Sequence, residues 1–297
     1  MPRILLNLPW ELGDSGVKIE QINEGGNVFK QADKTALTRR ILTSEIPGTV
    51  AWLESITGLD FTLDKDNEDV PIKWLGTTGR KRGSQQEPGS SGDLDLSVDE
   101  TQISKEDLII KLAAWCRQQG IPDEQILNTS KDKTRWIEKS GDNVHFRTPI
   151  NGDSNNGFVQ TDFMFSGDPN WQQFAMRGGR EGSAFTGESR AIILASIISA
   201  LHPGLKYSYK HGLVDRATNT TIENGKNPAT ISKLTGIPVA KLNTADDIID
   251  TISKRPNYDQ LIAAARETLA RSSIQLPEAA PLPGTAAWFR TYSDKFA

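Results

Sequence analysis

This chain is poor in the residues that most enzyme chemistries and most compartments require. Its single cysteine, Cys116, excludes an intramolecular disulfide and a cysteine-rich zinc site. The three histidines, His145, His202 and His211, are scattered and lack metal-ligand spacing. No Ser/His/Asp or Cys/His constellation can be argued from spacing. Nowhere do eighteen apolar residues run together, and the opening Met1–Trp10 is too short and interrupted for a signal peptide. A soluble, cytoplasmic protein is therefore expected, in a host cytoplasm or virion if the source is viral, with no membrane partner. Positive charge is not in excess either: 34 Lys and Arg against 38 Asp and Glu leave a net charge of −4. Strong binding to duplex nucleic acid needs a basic face that this total does not supply.

What the chain does have is length and pattern. At 297 residues, 36% of them hydrophobic, it can bury a large core and divide into two domains. Its most informative segment is Ser90-Ser91-Gly92-Asp93-Leu94-Asp95-Leu96. On a strand, residues two apart share a face, so Asp93 and Asp95 project together while Leu94 and Leu96 face the core. Like charges that close are costly unless a cation lies between them. Oxygen-only ligands suit a hard ion such as magnesium. A third acid, Asp162, sits inside the apolar run Phe158–Phe165, where an unpaired carboxylate would be unfavourable. A solvated strand end is the plain alternative for the first pair, and an isolated paired acid for Asp162.

Upstream, Val70–Leu75 reads as a short strand entering the turn Gly76-Thr77-Thr78-Gly79, followed by Arg80-Lys81-Arg82-Gly83-Ser84. Small residues let amides approach an anion, hydroxyls donate to it and cations neutralise it. The spacing of a Walker A loop is missing, and an exposed hairpin loop is the plain alternative.

Taken together, the turn, the Asp-Leu-Asp-Leu strand and the later Asp162 strand resemble the DNA polymerase beta-like nucleotidyltransferase superfamily. The resemblance covers roughly Ile72 to Phe165. It departs from the family pattern in Thr77, where Ser or Gly is usual, and in the sixteen residues between Gly76 and Asp93. Either Gly83-Ser84 is the true turn or the gap holds an inserted loop; Gly76-Thr77 is favoured because it follows directly on a strand. The resemblance implies Mg2+ held by Asp93, Asp95 and Asp162, with Asp162 also able to take the acceptor's proton. It further implies an NTP bound by Gly76, Thr77, Lys81 and Ser91. The implied activity is template-independent transfer of an NMP to an acceptor hydroxyl: an RNA end by slight preference, otherwise a protein or small molecule. Two other readings stand beside it, a degenerate fold acting as a binding or structural module and a magnesium-dependent phosphohydrolase.

The remaining pattern gives an α+β fold. A small mixed β-sheet with helices on one face occupies 1–168, with an N-terminal helical segment, and a mainly helical domain follows at 169–297. Lys34–Thr57 reads as one or two helices interrupted near Pro47. Ser104 caps a helix to Gln119 that carries the stripe Leu108, Ile109, Leu112, Ala113 and Cys116, the last a packed core thiol. Two strands, Asn143–Ile150 and Gly157–Phe165, flank a turn. Glu188–Leu201 is apolar nearly all round and reads as a buried helix. Its Arg190 could reach phosphate, and Phe185 before it could stack on a base or anchor a loop. A hairpin turning at Ala217–Asn219, helices at 229–234, 245–254 and 258–271, and a last one at 286–292 complete the expectation. Arg177 and Arg180, in a glycine-rich loop, are further cations available to a phosphate or nucleic-acid end.

Overall fold

The computed structural model describes residues 28–65, 71–80, 89–129, 132–180 and 183–279. Two compact units divide at 182–183. The sequence places the boundary at 168; it lies later because the helix that follows is tied back to the sheet.

In the first unit, β1 (Ile41–Leu42) pairs antiparallel with β2 (Ser90–Ser91). The main sheet contains β3 (Leu94–Asp99), β4 (Ile137–Ser140), β5 (Asn143–Pro149) and β6 (Phe158–Ser166), in the order β3-β6-β5-β4. The β3–β6 pair is parallel and the other two are antiparallel, which makes the sheet mixed. Alternation along β3 buries Leu94, Leu96 and Val98 together with Val144, Phe146 and Phe163 in one core. Helices α1 (Ile46–Thr57) and α2 (Lys105–Gln118) contribute Ile46, Val50, Leu53, Leu108, Leu112 and Cys116 to that core. Burying a side chain such as Leu53 contributes about 1.5–3 kcal/mol. Helix α2 begins where expected, with Ser104 Oγ accepting from the Asp107 amide at 3.1 Å.

The α+β character is borne out, with three local differences. Pro47 starts α1 rather than interrupting a helix, because a missing N–H costs nothing in the first turn. Strand β4 was not expected from the pattern: of its four residues Ile-Glu-Lys-Ser only Ile137 is apolar. Helix α3 (Pro169–Ala175) lies on the side of the sheet opposite α1 and α2. It is held there by Gln172, whose Oε1 accepts from Ser97 Oγ at 2.5 Å and whose Nε2 donates to the Met164 carbonyl at 3.4 Å. Helices therefore touch both faces.

The second unit is mainly helical: α4 (Gly187–Leu201), α5 (Pro228–Thr235), α6 (Ala245–Ile252) and α7 (Tyr258–Ala270), with a hairpin of β7 (Leu205–Ser208) and β8 (Gly212–Asp215). Residues Ser189 to Ile198 of α4 are all buried, as its apolar sequence implies. The β7–β8 hairpin turns at Tyr209–His211, and the chain reverses again at the expected Ala217–Asn219, where Val214 bridges antiparallel to Thr221, the Asp215 amide donates to the Thr220 carbonyl at 2.9 Å, and Asp215 Oδ1 accepts from the Ala217 and Thr218 amides. The helix expected at 286–292 lies outside the described residues. Among the described residues no helix is long and apolar enough to cross a membrane.

Candidate metal centre

The first two acids stand at the start of β3. The short β1–β2 pair sets Ser91 opposite Ile41, and Arg40 fixes the same turn, its Nε donating to Ser90 Oγ at 3.0 Å and its Nη2 to the Ser90 carbonyl at 3.2 Å. Asp93 leaves this turn and Asp95 is the second residue of the strand. The apolar residues Leu94 and Leu96 hold the strand by their burial, so its alternate positions are committed to the polar face.

The third acid arrives through parallel pairing. Asp95 and Asp162 are register partners on β3 and β6. One carboxylate oxygen from each of Asp93, Asp95 and Asp162 lies within 4.8 Å of the others. Asp93 and Asp95 are half-buried and Asp162 is 5% exposed. Three carboxylates gathered at that spacing form an oxygen-only donor set of the kind that hard cations take. The donor chemistry thus fits Mg2+, and the side chains that would hold it are those three.

The turn at Gly76 is built against the same strand. No full strand forms at 71–75, but the segment runs along the free edge of β3: the Leu75 amide donates to the Asp95 carbonyl at 3.0 Å, and the Ser97 amide to the Lys73 carbonyl at 2.8 Å. Thr78 is buried, and its Oγ1 accepts from the Asp95 amide at 2.9 Å. Gly76 has φ +50, and a Cβ placed on it would come within 2.7 Å of Asp95 Oδ2. Thr77 Oγ1 is hydrogen-bonded to Ser91 Oγ. Gly76, Thr77 and Ser91 are therefore brought to the acids, whereas Lys81 and Gly83-Ser84 lie outside the described residues. Arg177, from the glycine-rich loop, bridges to Gly76 through its backbone, and the Gly76 amide donates to the Met176 carbonyl at 2.9 Å.

Arg190 lies in the second unit. It is buried in α4, and its Nε donates to the Leu242 carbonyl at 2.6 Å within the helical unit. Helical periodicity gave the position but not which way it faced.

Two residues of the site are not singled out by the sequence reading. His145 on β5 is the register partner of Asp162, and its Nδ1 lies 2.7 Å from Asp162 Oδ1. Burial opposes charge on this imidazole, but the hydrogen bond and charge of Asp162, with Glu138 and Asp93 adding, outweigh it and hold its pKa above the ordinary value. Gln160, two residues before Asp162 on the same face, donates from Nε2 to Asp162 Oδ1 at 2.9 Å and Oδ2 at 3.2 Å. A signal for His145 was present. Pairing Ile150 with Gly157 at the ends of the turn sets 145 opposite 162 by counting, and the Ile150 amide does donate to the Gly157 carbonyl at 3.0 Å. Comparison with family models, with curated proteins and with solved structures finds no match to this chain.

Proposed function

We propose that the protein is a metal-dependent, template-independent nucleotidyltransferase that moves an NMP from an NTP to an acceptor hydroxyl, an RNA end being the favoured acceptor. The observation that carries this reading is the meeting of Asp93, Asp95 and Asp162 beside the Gly76-Thr77 turn. Mg2+ bound by those carboxylates would supply charge neutralisation at the phosphate and polarise the attacking and leaving oxygens. The chain's own residues do the positioning. Gly76 lets the turn approach Asp95 without a side chain between them. Thr78 fixes the backbone of Asp95, and the Thr77–Ser91 pair joins the turn to the strand leading into Asp93. Asp162, on the neighbouring strand, would accept the proton of the incoming hydroxyl.

The test is incorporation of label from α-labelled ATP, CTP, GTP or UTP into short RNA, protein or small-molecule acceptors with Mg2+. Wild type and Asp95→Ala are compared. Label in wild type that disappears in the variant supports the reading. Equal labelling in both would defeat it. NTP binding without transfer by wild type would favour the binding-module alternative, and release of free phosphate a hydrolase.

A further inference from the structure

We propose that His145 and Gln160 form a clamp that fixes the orientation of the Asp162 carboxylate for cation binding, so that both are positioning residues of the site. The inference rests on the metal-dependent reading above and adds two residues to it.

The clamp is anchored at each end. Gln160 Oε1 accepts from the Val28 amide at 2.8 Å, which forces its Nε2 toward Asp162. An amide anchored this way cannot rotate without losing a bond on one side. His145 closes on the same oxygen of Asp162 from the other neighbouring strand. Because a carboxylate only accepts, Nδ1 carries the proton there. Beyond it, Glu138 is the register partner of His145 on β4, so Asp95, Asp162, His145 and Glu138 form one row across all four strands. Glu138 is itself held, by Lys133 and by Asn128 Nδ2 at 3.0 Å. His145 and Asp162 are both more than nine-tenths buried, so neither can be oriented by bulk water. The core alone does not need this arrangement. On the opposite face the two flanking rows, one with Leu94, Phe146 and Ile137 and the next with Leu96, Phe163 and Val144, are packed by apolar contact. Donors that fix ligand orientation commonly change metal affinity 10–100-fold when removed.

The experiment measures Mn2+ affinity of the full chain from the spectroscopic signal of the free ion, alongside melting temperature in EDTA. Wild type, Asp95→Asn, His145→Leu, His145→Asn and Gln160→Leu are compared. The clamp predicts that His145→Leu binds Mn2+ about 10-fold or more weakly. His145→Asn, whose amide can still donate to Asp162, should recover most of that loss. If His145→Leu does not fold, Gln160→Leu should show the same weakening. Wild-type affinity in both Leu variants would overturn the clamp while leaving the metal reading intact. Equal weakening in His145→Leu and His145→Asn, following their melting temperatures, would also overturn it, since that marks a packing role. Wild type binding no better than Asp95→Asn would remove the metal reading, and the clamp with it.

Discussion

Gly76 and Asp95 are in such close approach that no side chain fits between them: a Cβ on Gly76 would lie 2.7 Å from Asp95 Oδ2. The turn and the carboxylate strand are thus one unit, although sixteen intervening residues separate Gly76 from Asp93 in the chain. Their union is made by the free edge of β3, which the 73–78 segment covers with backbone and threonine hydrogen bonds.

Gly76→Ala should therefore impair the site out of proportion to its size. The left-handed conformation at φ +50 costs a non-glycine residue about 1–2 kcal/mol. The new methyl also displaces Asp95. Nucleotide incorporation should fall roughly a hundredfold, as expected for a misplacement near 1 Å. An unchanged rate in a folded variant would contradict the role given to this turn.

Thr78→Val leaves the Asp95 amide without its acceptor in a buried setting. An unmet buried donor costs about 1–3 kcal/mol, and urea unfolding should show a loss of that size. Thr78→Ser, which keeps the hydroxyl, should be close to wild type.

Asp95→Asn should abolish stabilisation by divalent ions. For wild type, Mn2+ at a hundred times its dissociation constant should add about 2.7 kcal/mol. The variant should melt at the same temperature with Mn2+ or with EDTA. In EDTA it should be at least as stable as wild type, because two charged carboxylates rather than three then share the site.

Cys116 should be silent toward thiol reagents. It is buried, and burial pushes its thiol from 9.0 up to about 12. Near neutral pH this keeps the thiolate about a thousandfold scarcer than in a free thiol. A disulfide reagent at pH 8 should label no thiol in the native protein and one after denaturation. Since the folded state holds the proton more tightly, this contribution to stability is intact below pH 9 and declines as pH rises from 9 toward about 12. Rapid labelling of the native protein would show that the α2 core contact opens.

Much of the fold could be read in one dimension because its signals are local. Leu94 and Leu96 alternate with Asp95, and that alone puts the acid on the opposite face. Ser104 with Asp107 marks the start of α2, and the apolar length of α4 marks its burial. Strand β4 escaped because Ile137 is its one apolar residue; its place depends on Phe146 opposite Ile137, not on its own composition. The surroundings of Arg190 were not legible for a related reason. A helix start favours phosphate in general, but the Leu242 carbonyl, more than fifty residues away, determines what that guanidinium meets.

The sequence by itself determined that the acids and the leucines must part to opposite faces of β3, since the two-residue period of a strand leaves no other arrangement that buries Leu94 and Leu96. Only the tertiary structure decided that Asp162 would stand beside Asp95, through the parallel pairing of β6 with β3. That outcome follows from the order in which distant strands pair, and hydrogen-bonded backbone carries no record of its partner in the side chains alone.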